Sequence, residues 1–177
     1  MYLCAMVAKD AENIDLVSFS DIVVIGINSS LMEYKLAWCL NEALSLDFTR
    51  RVDLVSNGDV YPLYHCHLYE NSPVYDLLAL NSGDKNLLRS KPRIDYLFLV
   101  RNEPYIERID NMLQKIKETE GVSYAFLMEG QRTKIEPILY DIELHEVKML
   151  ALARERNTPA YAVEQIRKRD ERLGMVN

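Results

Sequence analysis

No stretch of this sequence stays apolar for the roughly twenty residues that a bilayer-crossing helix needs. The apolar run Met1–Val7 has no basic flank, and Lys9, Asp10 and Glu12 follow at once, so it does not read as a signal peptide. Glycine and proline are scarce, six of each, which argues against a collagen-like or long disordered segment. Only three cysteines occur, Cys4, Cys39 and Cys66, an odd number without paired spacing. That pattern fits reduced thiols in a cytoplasm, not a disulfide framework. Gly-x-Ser-x-Gly, His-Glu-x-x-His and Cys-x-x-Cys are all absent. Basic residues are outnumbered and the net charge is −6. Nucleic acid is therefore a poor partner for the molecule as a whole, because such binding neutralises phosphates with Lys and Arg.

What is present is ordinary globular material. A chain of 177 residues, about half apolar, can bury a sizeable core as one domain with an appendage. Eleven tyrosines favour strands, half-buried surfaces and interfaces. Asp21-Ile-Val-Val-Ile-Gly-Ile27 is a β-branched run of the kind found in buried strands. Ser30 with Glu33 fits a capping box opening a helix over about 31–46, with Met32, Leu36, Ala37, Leu40, Ala43 and Leu44 inward. Tyr34 and Trp38 lie off that stripe. Val52–Val55 and Tyr61–Tyr69 read as strands joined across the turn residues Asn57-Gly58. Val74–Leu80 is a further strand.

Pro92–Val100 is the longest β-prone run and the expected central strand. Ile94, Tyr96, Phe98 and Val100 are placed on one face, with Asp95, Leu97, Leu99 and Arg101 on the other. A helix from Pro104, capped by Gly121, precedes a strand over Val122–Met128. Ile138–Leu144 alternates like a strand but also fits a helical stripe, and a helix over most of 137–156 is preferred. A last helix is expected over Pro159–Leu173. The fold class is thus α+β: a mixed, mainly antiparallel sheet of five to six strands with two packed helices and a helical C-terminal tail. The organisation is an arm over 1–20, a domain over 21–140 and an extension over 141–177.

Three segments together resemble the small bacterial family named for an Ile-Pro-Glu…Val-Asp-Tyr signature, the IPExxxVDY family. These are Ile25-Gly-Ile27 with Glu33-Tyr-Lys-Leu-Ala-Trp-Cys-Leu-Asn41 and Val52-Asp-Leu54; Leu87–Val100; and the helix from Pro104 with the strand through Ala125-Phe126. Ile94-Asp95-Tyr96 matches the second half of the signature. Arg89-Ser90 stands where Pro-Glu is expected, so no role of that glutamate transfers. The resemblance covers about residues 21–140. It implies a bacterial, cytoplasmic protein with one shared domain, and carries no mechanism with it.

Candidate sites are few. Asn28, Ser29 and Ser30 lie between a strand and a helix N-terminus, where free N–H groups can hold an anion, although ordinary capping explains them as well. With the loop over 81–92 they define a possible cleft. His65 and His67 share a strand face and are the metal candidates, with two solvated imidazoles as the plainer reading; no metal or other cofactor is expected. Asp95 and Arg101 share a face but are too far apart along one strand to act together. Arg154, Arg156, Arg167, Lys168, Arg169 and Arg172 form a basic tail, offset by interspersed acids. The expectation is a non-enzymatic cytoplasmic protein that binds a protein partner or itself through Tyr34 and Trp38. The alternatives are a small-molecule sensor or enzyme using the 28–30 and 81–92 cleft, and nucleic-acid binding by the tail.

Overall fold

A computed structural model describes residues 19–69 and 72–156. The chain divides into two compact units, Met1–Leu139 and Tyr140–Asn177. The first contains a six-stranded sheet of β1 (Ile22–Ser29), β2 (Thr49–Arg50), β5 (Leu63–His67), β6 (Val74–Ala79), β9 (Tyr96–Arg101) and β10 (Val122–Leu127). Their order across it is β10-β1-β9-β6-β5-β2. Every pairing in it is antiparallel. Two small hairpins, β3–β4 (Leu54–Ser56 and Asp59–Tyr61) and β7–β8 (Asn81–Ser82 and Lys85–Asn86), stand outside it. The helices are α1 (Glu33–Leu44), α2 (Ile106–Glu118) and α3 (Arg132–Arg156).

β9 is central, as its composition implies. It lies between β1 and β6, and Tyr96 through Val100 are all buried. Alternation along a strand sends its residues to two faces. Tyr96, Phe98 and Val100 join Ile25, Ile27 and Leu77 beneath α1 and α2. Leu36, Ala37 and Leu40 of α1, and Ile109 and Ile116 of α2, close that layer. Leu97 and Leu99 point the other way and are also fully buried, as is Leu78, with Leu63 buried beside them. Both faces of the sheet are therefore covered, which explains why β9 reads as a continuous apolar run.

Four local expectations change. α1 begins at Glu33 with Met32 as N-cap and no side-chain cap bond, so the Ser30–Glu33 box does not form. The chain first has to reach the α2–β10 turn: Ser30 N–H donates to Gly121 O at 3.3 Å, and Ser29 Oγ donates to the same carbonyl at 2.7 Å. Gly121 does not cap α2, whose C-cap is Thr119; at φ 86° it makes the turn into β10. The strand expected over Tyr61–Tyr69 is broken at Pro62 into β4 and β5. Ile94 lies against Gly26, whose register partner is Leu97, so it belongs to the Leu97 face and not to that of Tyr96. The chain turns at Ile94-Asp95 before regular alternation starts.

The Asn57-Gly58 turn forms as read, with both residues at positive φ between β3 and β4. The ambiguity over Ile138–Leu144 resolves as helix, since α3 runs from Arg132 and contains Pro137. Ile135, Ile138 and Leu139, at helical spacing, are buried. In the second unit Tyr140, Leu150 and Leu152 are exposed. The expected arm over 1–20 lies almost wholly outside the described residues, as does the last helix over 159–173.

Two glycines separate conformational strain from crowding. Both Gly58 and Gly121 have positive φ, but a Cβ on Gly58 meets nothing, whereas one on Gly121 lies 2.6–2.9 Å from Leu31. Gly58→Ala should cost about 1 kcal/mol through backbone strain alone. Gly121→Ala should cost about 2–4 kcal/mol, because overpacking adds to the same strain. Urea unfolding of the two variants gives the comparison, and equal losses would contradict it.

Candidate functional site

Asn28, Ser29, Asp95 and the loop over 81–92 meet at one junction at the end of the sheet. Asp95 is its centre. Its Oδ2 accepts from Asn28 Nδ2 at 2.7 Å and from Ser29 N–H at 3.4 Å. Its Oδ1 accepts from Asn81 Nδ2 at 3.1 Å and Arg93 Nε at 3.2 Å. Asn86 extends the set, donating to Asn81 Oδ1 at 2.8 Å and accepting from Leu88 N–H at 2.9 Å. The neighbouring Ser29 Oγ accepts from Leu31 N–H at 3.1 Å. A carboxylate that accepts several bonds and faces a guanidinium is satisfied within the fold.

Asn28 and Ser29 therefore spend their polar groups on the protein, and the backbone N–H groups of Ser29, Ser30 and Leu31 are already bonded. Ser30 is exposed. The cleft expected between 28–30 and 81–92 is bridged by Asp95, which both segments contact. A cavity of about 200 Å³ lies elsewhere, at the end of the sheet where β1 begins and β10 ends. Val24, Ile109, Leu127 and Ile135 line it, with Glu129 and Arg132 as its charged residues.

Tyr96 follows Asp95 and turns its hydroxyl to the helix side, donating to Leu31 O at 2.5 Å. Burial pushes this phenol up to about 12, with the charges of Glu33 and Asp95 adding in the same direction. Burial also raises Tyr64, Tyr75 and the Cys66 thiol. A raised thiol is a poor nucleophile, which agrees with a packing role for Cys66.

A second polar group sits inside the sheet. Asp76 on β6 is wholly buried. Its Oδ2 accepts from Arg101 Nη2 at 2.6 Å, and its Oδ1 lies 2.8 Å from His65 Nδ1. Register explains the set. His65 is directly opposite Asp76 on β5, and Arg101 is a diagonal neighbour on β9, since Leu99 is Asp76's own partner. Arg101 thus pairs across strands and not with Asp95. His65 is half-buried and turned onto Asp76, while His67 is exposed, with ring centroids 6.5 Å apart. Asp76 was overlooked in sequence; a lone carboxylate in Val74-Tyr-Asp-Leu-Leu-Ala79 is the signal, because a buried charge requires a partner.

The remaining candidates are apolar. Tyr34 and Trp38, one turn apart on α1, are 60% and 62% exposed, and Met32 at the N-cap is 64% exposed. Met32 was expected inward; the late start of α1 leaves it outside. Of the basic tail, Arg154 and Arg156 are exposed near the end of α3, and the rest lies outside the described residues. Compared with known proteins, the chain matches no family model and no curated sequence.

Two outcomes follow. Tyr96 has a folded pKa above its unfolded value near 10. Its contribution is fully present below pH 10 and is lost as pH rises through about 12, a change on the order of 2–3 kcal/mol. Tyr96→Phe should lose about 1 kcal/mol at pH 7 with the Leu31 bond, and should then show a smaller decline between pH 10 and 12, read from denaturation midpoints. Asp76→Ala should cost about 2–4 kcal/mol by taking that carboxylate from a half-buried Arg101. Asp76→Leu combined with Arg101→Met should recover part of the loss; a double variant no better than Asp76→Ala would exclude this account.

Proposed function

We propose that this protein is a non-enzymatic binding module, bacterial and cytoplasmic, that works by associating with a protein partner or with itself through the outer face of α1. The observation that carries the reading is Trp38, the only tryptophan, left 62% exposed beside Tyr34 on a well-packed helix. Exposing such side chains gains nothing for folding. Trp and Tyr are the residues that most often dominate binding energy at protein interfaces. The opposite side of α1 is held by Leu36, Ala37 and Leu40, so the face does not depend on a loop for its position. Kinship with the IPExxxVDY family belongs to this proposal, and Ile94, Asp95 and Tyr96 act in it as scaffold residues.

A second reading, small-molecule binding, is favoured by the 200 Å³ cavity beside Arg132. It ranks lower because Arg132 already donates to Phe19 O and faces Glu136 at 4.0 Å.

Trp38 is its own reporter. Its fluorescence should be readily quenched by acrylamide in dilute protein, and should be shielded as protein concentration or added cell extract rises. Tyr34→Ser with Trp38→Ser should weaken the association measured by light scattering or pull-down by about 30-fold or more. Stability should stay within about 0.5 kcal/mol, as for exposed positions. Trp38 equally quenchable under every condition would remove the reading.

A further inference from the structure

β10 stops before β1 does. Their last paired residues are Ile25 and Leu127, and one more bond follows, from Met128 N–H to Val24 O at 2.9 Å. On its other side β1 stays paired with β9 as far as Ile22. The cavity of about 200 Å³ lies beside this half-paired start of β1, against Val23, Val24 and Leu127. The first turns of α2 and α3 close it through Ile109 and Ile135, both buried. Ile106, also in the wall, is 63% exposed and marks the mouth.

Val24 gives the wall a polar point. In an antiparallel ladder a residue turns its N–H and C=O toward the same neighbour. Val24 O is turned to Met128, so Val24 N–H faces that side as well. Met128 O does not take it, and no other acceptor for it is present among the described residues. A main-chain donor left without a partner is rare in a folded chain. Apart from Glu129 and Arg132, both exposed, the side chains of the wall are apolar. One carboxylate and one guanidinium leave the rim without net charge, and Arg132 already donates to Phe19 O.

We infer that this cavity takes a small uncharged molecule with an apolar body, one ring or a short alkyl chain, and one acceptor oxygen that bonds Val24 N–H. Size agrees, since an apolar cavity of about 150 Å³ stays dry and holds benzene, and this one has room for a ring with a short substituent. The single donor suits one carbonyl or hydroxyl oxygen better than a water, which needs about two to four polar partners. Charge agrees as well. An anion drawn to Arg132 would meet Glu129, and a cation drawn to Glu129 would meet Arg132; neither is matched by the apolar interior. The inference rests on the small-molecule reading of the cavity and adds the class of ligand to it. It is independent of the α1 face.

Amide NMR titration of the full chain with acetophenone, α-methylstyrene and benzoate tests this, because the three probes have nearly one shape. Acetophenone should bind with a Kd on the order of 0.1–1 mM and shift the amides of Val24, Ile109 and Leu127. α-Methylstyrene lacks the oxygen and should reach the same amides about 3–10-fold more weakly, the worth of one neutral hydrogen bond. Benzoate carries the charge and should be weaker by about 10-fold or more. Ile106→Trp, a change at an exposed position, should narrow the mouth and weaken acetophenone about 10-fold while melting stays as in the wild type. Equal binding of acetophenone and α-methylstyrene overturns the bond to Val24 and with it the ligand class. Benzoate binding tightest at these amides overturns the uncharged class and leaves the small-molecule reading standing. Shifts confined to other residues, or none with any probe, overturn both.

Discussion

The Asp95 carboxylate is the constraint on which the rest of the first unit depends. A buried carboxylate is costly unless its lone pairs are filled, and those of Asp95 are filled from separate parts of the chain. Asn28 and Ser29 come from the end of β1, Asn81 from the β7–β8 hairpin, and Arg93 from the segment before β9. The backbone of the same residue continues the tie: Asp95 N–H donates to Ile27 O, and Asp95 O accepts from Leu80 N–H, each at 2.8 Å. One residue therefore fixes the register of β9 against both of its neighbours. Because a one-residue slip would reverse both buried faces, that tie is worth more than its own bonds.

The pair of buried Asp76 and half-buried Arg101 acts differently. Apolar side chains of similar size often serve stability as well as a buried ion pair does, so the pair is better read as a device for alignment than as a source of net stability. It lies across β6 and β9, with His65 added from β5. Three neighbouring strands are thus pinned by polar contacts inside a sheet that is otherwise leucine-rich on that face. A register wrong by one residue would turn the carboxylate to the opposite, apolar face of the sheet, away from Arg101.

How much of this was legible in the sequence follows from the range of each interaction. β1, β9, α2 and the Asn57-Gly58 turn were readable because their signals are local: β-branched runs, helical periodicity and positive-φ residues. The antiparallel α+β class followed from their order. The start of α1 was misread because Ser29 and Ser30 bond Gly121, some ninety residues away, before the helix can begin. Spacing along one strand separates Asp95 from Arg101, but Asn28 and Asn81, its partners from distant parts of the chain, cannot be named from sequence. The Asp76 set was missed for the same reason, since cross-strand register decides it. Tyr34 and Trp38 were legible as off-stripe residues, and α1 leaves both exposed, but sequence could not show that the late start of α1 adds Met32 to them.

Tyr96 gives the outer face of α1 a further property. Its hydroxyl holds Leu31 O, just ahead of the helix, while its ring belongs to the sheet core. The helix is thereby anchored at its start as well as along its buried side. Association normally loses entropy when mobile contact residues are ordered, at about 0.5–1.5 kcal/mol for each flexible side chain. A tryptophan and a tyrosine carried on a helix already moored to the central strand have few degrees of freedom left to lose. For a partner of the kind proposed for that face, affinity would be governed by how fast it leaves, more than by the time needed to arrange the surface.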